Sequence, residues 1–358
     1  MSGTLRLALV GCGRQMRKNL IPFVQRLPNQ RVVACVDMDL ACAEQAQAMT
    51  GAAICVSSVD DLDLRNVDAA ILALPPLESF ELTSCLVEQG ISCFVEKPAG
   101  PSTSALEKLA DTVRRSACHV QIGFNFRYTE VLRSLHQLTN EGRSNPSAVT
   151  IDFYSRHPSA PQWGVDSTAE AWIRHNGVHP LDLARWFVPA PVTRLDAHTV
   201  PCGPDRLMVT VVMQHADQSL TTLRMGNRTK KFMVGVSVQT ADGSRFTAPS
   251  LEQVTLDVDA GTPAGTILHR TSNLDHGWSR SGFGPELAAF LEAARQPARN
   301  ASDEPSVADA LAASELCDAV VDQLSREPGH FSSPTGMAAG ADGNGWRTER
   351  HTLSTSAR

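Results

Sequence analysis

Short apolar runs separated by longer mixed stretches fill the first third of the chain. Residues 5–10 (Leu-Arg-Leu-Ala-Leu-Val) and 31–36 (Arg-Val-Val-Ala-Cys-Val) read as strands. Between them residues 14–27 predict a helix that Pro22 kinks or shortens, because proline has no N–H to give the preceding turn. Further strands are predicted at 53–56, 69–74, 91–95 and 118–122. Helices are predicted from the end of the second strand to about Met49, then at 78–88 and 105–116. Ser104 and Glu107 have the spacing of a capping box at the start of the last of these. Strands that alternate with helices predict a parallel sheet joined by right-handed crossovers.

Beyond about residue 140 the period changes. Residues 148–156, 192–200, 207–214, 218–225 and 231–240 alternate apolar and polar positions, with turn signals such as Ala241-Asp242-Gly243 after them. Such alternation predicts strands of an antiparallel sheet with one covered face. Helices are predicted at 179–188, 285–295 and 306–325. The fold class is therefore α/β, a doubly wound parallel sheet (residues 1–122) followed by an α+β domain with a large open, mostly antiparallel sheet (123–330). Residues 331–358, rich in Gly, Ser, Thr and Ala without an apolar period, predict a disordered tail.

Composition narrows the function classes. The 358 residues carry 42% hydrophobic and 20% charged side chains, ordinary for a globular protein. A formal net charge of −6 gives no basic footprint for nucleic acid. No run approaches the roughly 18 apolar residues of a membrane span, and a secretory leader is not expected at the N-terminus. None of the nine cysteines forms a Cys-x-x-Cys pair. They read as small buried hydrophobes in a reducing, cytoplasmic compartment.

The chemistry gathers at strand ends. Gly11-Cys12-Gly13 follows the first strand and opens a helix, which suits close approach of a dinucleotide pyrophosphate, with Arg14, Gln15 and Met16 beside it. Asp37 closes the second strand, where a carboxylate accepts from a ribose diol and repels a 2′-phosphate. It favours NAD, with NADP still open. Leu74 and Pro75 follow the fourth strand, and Glu96-Lys97-Pro98 follow the fifth. A lysine at that crevice stands beside whatever binds.

In the second domain, His175-Asn-Gly-Val-His179-Pro-Leu-Asp182 forms a polar knot. Gly177 and Pro180 break the continuous helix that i, i+4 metal ligands need, so no metal is expected. His179 reads equally as a helix cap and as an acid/base. Asn125 and Arg127, just past the last strand of the first domain, and Trp163 and Trp172 complete a candidate substrate site.

These motifs in this order resemble the glucose–fructose oxidoreductase/inositol dehydrogenase (Gfo/Idh/MocA) family over about residues 5–325. They are Val-Gly-Cys-Gly at 10–13, Val-Asp at 36–37, Leu-Pro-Pro at 74–76, Glu-Lys-Pro at 96–98, Gly-Phe-Asn-Phe-Arg-Tyr at 123–128 and Gly-Val-His-Pro-Leu-Asp at 177–182. The resemblance implies a Rossmann domain and a homodimer or homotetramer formed through the C-terminal sheet. It also implies hydride transfer between a nicotinamide cofactor and a secondary alcohol/ketone pair of a sugar, cyclitol or related polyol. By the same resemblance Lys97 and His179 line the nicotinamide and are catalytic. The alternatives are an NAD-dependent glycoside hydrolase or lyase with transient oxidation, and a non-catalytic dinucleotide sensor. The chain departs from the family pattern at Met16, Asn19, Leu74 and His175, the last standing where many members have aspartate.

Overall fold

The computed structural model describes residues 3–140, 145–200, 206–258, 263–272, 277–296 and 304–326. The tail expected at 331–358 lies outside the described residues. In the first domain the chain runs β1 (Leu5–Val10), α1 (Ile21–Val24), β2 (Gln30–Val36), α2 (Leu40–Thr50), β3 (Ile54–Val56), β4 (Ala69–Leu72), α3 (Pro76–Glu88), β5 (Ser92–Val95), α4 (Thr103–Arg114) and β6 (Val120–Ile122). The six strands are parallel, in the order β3-β2-β1-β4-β5-β6. The order reverses at β1, so the crevice opens between the ends of β1 and β4, as in other doubly wound sheets.

The second domain contains α5 (Glu130–Asn140), β7 (Pro146–Tyr154), α6 (Thr168–Trp172), α7 (Val178–Phe187), β8 (Val192–Thr199), β9 (Met208–His215), β10 (Leu220–Gly226) and β11 (Met233–Thr240). Then come β12 (Arg245–Ser250), β13 (Gln253–Val258), β14 (Thr266–Arg270), α8 (Trp278–Ser281), α9 (Phe283–Arg295) and α10 (Val307–Arg326). Its eight strands follow the order β14-β13-β12-β11-β7-β10-β9-β8. Only the central pair β7–β10 is parallel. The period of two is plain in β9, where Val209, Val211 and Met213 are buried and Thr210, Val212 and Gln214 are half-exposed.

Several local expectations change. The predicted helix over 14–27 is a π turn over Met16–Leu20 followed by the single turn α1. The Ile21 N–H reaches back five residues to Met16 O, just ahead of Pro22, which has no N–H to continue an α ladder. The cap of α4 is Ser102, whose Oγ accepts from Ala105 N, and not Ser104. Strands β12–β14 and helix α5 were not predicted.

The two C-terminal helices also do more than close the second domain. Leu287, Phe290 and Leu291 of α9 enter one core with Leu7, Leu9, Ile71 and Phe94 of the parallel sheet. The Phe94 and Phe290 rings meet edge to face at 5.8 Å. Helix α10 packs on α4 of the first domain and on α7 and β8 of the second.

Candidate active site

Hydrogen bonds between strand ends build the crevice. Gly11 N donates to Val36 O at 2.9 Å, Ala73 N to Val10 O at 2.9 Å, and Glu96 N to Leu72 O at 2.9 Å. Gly11 has φ +79°, and a Cβ there would lie 2.4 Å from Ala73 O, so no side chain fits where β1 and β4 end. At Gly13 a Cβ would meet nothing within 4 Å. The first glycine closes the turn on the protein, and the second leaves backbone open to a ligand. Asp37 Oδ2 accepts from Cys12 N at 2.7 Å, and its Oδ1 from Asp39 N at 2.9 Å. The carboxylate thus braces the glycine turn while keeping lone pairs to accept from a diol.

A cavity of ≈ 600 Å³ runs from this turn into the second domain. On the first domain's side it is lined by Gly13, Arg14, Gln15, Asn19, Leu74, Pro75, Glu96 and Lys97. Asn19 Nδ2 donates to Gln15 Oε1 at 2.6 Å, and Gln15 Nε2 to Glu96 Oε1 at 2.7 Å. Burial pushes the Glu96 carboxyl up, against the pull of Lys97 and Gln15. Burial lowers the Lys97 ammonium to about 8, opposed by Glu96.

On the second domain's side the cavity meets Asn125, Phe126, Phe153, Trp163, His175, Asn176, His179 and Phe232. A second π turn, Ile173–Gly177, leads into α7. The His175 carbonyl in this turn accepts from Lys97 Nζ at 2.9 Å, which anchors the candidate catalytic lysine across the domain junction.

His179 does not cap α7. It lies one residue inside the helix, and α7 has no side-chain cap. Its ring sits among Phe126 (4.8 Å), Phe153 (5.9 Å) and Phe124 (6.2 Å). Burial first, then the Lys97 and His175 charges, hold His179 well below the usual imidazole range. Burial, with Lys97 adding, pushes His175 down to about 2. At neutral pH the cavity therefore pairs one ammonium with two neutral imidazoles, a combination able to hold an alkoxide-like oxygen and accept its proton.

Five expected site residues are not among those lining the cavity: Gly11 and Asp37, which shape the glycine turn behind it, and Met16, Trp172 and Arg127. Met16 is fully buried in the apolar core beneath the glycine turn. Trp172 is likewise fully buried, its Nε1 donating to Ser155 O at 2.8 Å. Arg127 turns inward: its Nε donates to Asp182 Oδ2 at 2.8 Å, and its Nη2 donates to Asp182 Oδ1 and, at 3.0 Å, to Asp309 Oδ1. These are scaffold contacts, made because a guanidinium buried among carboxylates stays charged. Sequence reasoning missed Phe153 and Phe232. Both fall in predicted strands, 148–156 and 231–240, but Phe153 lies within β7 whereas Phe232 just precedes β11, and strand periodicity does not say which face meets a ligand.

Residues 5–124 match the family described as oxidoreductase family, NAD-binding Rossmann fold. An inositol 2-dehydrogenase of Pseudarthrobacter chlorophenolicus is 26% identical over 195 residues, 54% of this chain and 57% of that protein. The match thus spans little more than half of that relative's length. Among solved structures, a dehydrogenase from Chromobacterium violaceum superposes with a TM-score of 0.80 at 25% identity, covering 89% of this chain and 95% of the other. GenD2 from gentamicin A biosynthesis, solved in complex with NAD, has a TM-score of 0.73 at 20% identity, covering 91% and 95%.

Proposed function

We propose that this chain, which belongs through its first domain to the Gfo/Idh/MocA oxidoreductase family, is an NAD-dependent dehydrogenase acting on a secondary alcohol/ketone pair of the sugar or cyclitol type. The observation that carries the reading is Lys97 at the end of β5, tied by a 2.9 Å hydrogen bond to the carbonyl of His175 in the loop that presents His179. Residues from both domains so converge on one cavity.

The residues present fit a dinucleotide. Gly13 leaves the backbone open, Gly11 closes the turn, and Asp37 stands at the end of β2 to accept from a ribose diol. Its charge opposes a 2′-phosphate, which favours NAD over NADP. When bound, NAD accepts or returns a hydride at the nicotinamide ring. The protein's own part is orientation and proton handling. The Lys97 ammonium donates to the substrate oxygen and stabilises charge that develops there. Neutral His179 takes the hydroxyl proton during oxidation and returns it during reduction.

The test follows NADH absorbance across a panel of sugars and cyclitols, with NADP as the competing cofactor. Wild-type protein should form NADH, and Lys97→Ala should keep its affinity for NAD while kcat falls roughly a hundredfold. Normal turnover by a folded Lys97→Ala protein, or tighter binding of NADPH than NADH, would refute the assignment.

The outward face of the eight-stranded sheet supports a homo-oligomer. Thr210, Val212 and Gln214 of β9 and Thr222 of β10 are half-exposed there, flanked by Arg224 on β10 and by Arg194 and Asp196 on β8, a mixed surface on which a second copy could pair. Sedimentation of the full chain as a monomer at micromolar concentration would remove this reading.

A further inference from the structure

The mouth of the cavity is aromatic where a polyol alone would call for hydrogen-bonding groups. Trp163 is 43% exposed and Phe232 51% exposed, yet both line the cavity. Large exposed rings in a concave site mark a place where apolar surface is meant to be covered. They belong to two ring groups. Trp163 packs on His175 with centroids 4.9 Å apart. Phe232 stacks on Phe126 at 6.0 Å and meets Phe153 edge to face at 5.7 Å. The backbone carries a second sign. Trp163 has φ +54°, a left-handed conformation that bulky side chains avoid, and Gly164 follows at φ +78°. A tryptophan held there is placed at a cost, and such strain gathers at ligand clamps.

The neighbouring amides are partly spoken for. Asn125 Nδ2 donates to Ser281 O at 2.8 Å, Asn176 Nδ2 donates to His157 O, and Gln15 Nε2 is held by Glu96. Arg127, the one guanidinium expected to meet hydroxyls, is bound to Asp182 and Asp309. A hydroxylated ring can lay its C–H face on one of these rings and reach His175 beside it, but the exposed rings belong to two separate groups, so one would remain uncovered.

We infer that the substrate is a sugar or cyclitol alcohol bearing an apolar ring substituent, such as an aryl glycoside, with the reacting carbinol at Lys97 and His179 and the substituent packed between Trp163 and Phe232. This rests on the dehydrogenase reading above. The chemical step is unchanged by the substituent. The carbinol C–H bond breaks, its hydride reduces NAD to NADH, the O–H proton passes to His179 and on to solvent, and the C–O single bond becomes the carbonyl.

Matched pairs test the substituent separately from the chemistry. Calorimetric titration of the NADH-loaded protein with phenyl β-D-glucoside against glucose, and with a benzyl ether of myo-inositol against myo-inositol, reads binding without turnover. In at least one pair the aryl member should bind tenfold or more tightly. Trp163→Ala and Phe232→Ala should each erase most of that ratio, with the circular dichroism of the folded protein unchanged. Equal binding within both pairs, or a ratio that survives both substitutions, would overturn the inference. Absorbance at the NADH band on the NAD-loaded protein is then read independently. Aryl preference in binding without NADH formation would refute the dehydrogenase reading and leave the pocket assignment standing.

Discussion

Lys97 and the two imidazoles near it set the pH behaviour of the cavity. Burial lowers Lys97 to about 8, so its ammonium is present at neutral pH and lost as pH rises through that value. His179 stays neutral because burial, with the Lys97 ammonium adding, holds it well below the ordinary range. If Lys97 donates to a carbonyl oxygen, kcat/KM for ketone reduction should fall about tenfold per pH unit above 8, and Lys97→Arg should flatten the fall, since arginine keeps its charge. A profile level from pH 7 to 10 in the wild-type protein would remove Lys97 as the donor. How legible this site was depends on residue type. Glycines, Asp37 and Lys97 announce themselves because only a few residue types can perform a turn or carry charge at a strand end. Arg127 and Trp172 misled because burial decides whether a guanidinium or an indole meets ligand or scaffold, and burial is a tertiary property.

Prolines shape the elements of the candidate site as much as its polar side chains do. Both π turns, Met16–Leu20 and Ile173–Gly177, stand within three residues of a proline, Pro22 and Pro180. Both also place polar residues into the cavity, Asn19 from one and His175 and Asn176 from the other. The inner strands β4 and β5 were readable because they are buried on both faces and so appear as apolar runs. Strands β12–β14 were not: β14 is an edge strand, and the buried alternation is only two residues long in β12 (Phe246, Ala248) and in β13 (Val254, Leu256). The Arg127 network joins three elements: the short turn at Asn125–Tyr128, α7 through Asp182, and α10 through Asp309. Arg127→Met should leave Asp182, 1% exposed, buried without its partner. A loss of about 3–5 kcal/mol follows, read from the midpoint of urea unfolding, with NADH affinity of the folded protein little changed. A loss under about 1 kcal/mol would show that the network contributes no more than a surface ion pair.

At the scale of the whole molecule the two domains share their C-terminal helices. The match to the oxidoreductase family ends at residue 124, yet the apolar face formed by Leu7, Leu9, Ile71 and Phe94 is closed by Leu287, Phe290 and Leu291. All three of these side chains are at most 1% exposed. A fragment of residues 1–124 should therefore expose this face and be recovered as aggregate. Adding a peptide of residues 277–296 should raise its soluble yield, measured by size-exclusion chromatography. A monomeric, cooperatively melting 1–124 fragment would show that α9 is dispensable to the first domain.

The docking of α9 also imposes a timetable on synthesis. The first sheet leaves the ribosome with one face only part-covered, by Leu20, Ile21, Val24, Ala43 and Ala46 of its own domain, and Phe290 follows it by on the order of ten seconds at roughly 5–20 residues per second. During that interval the nascent chain carries a greasy gap around Phe94 that only later sequence fills, and a chaperone that holds apolar surface would find its natural client there.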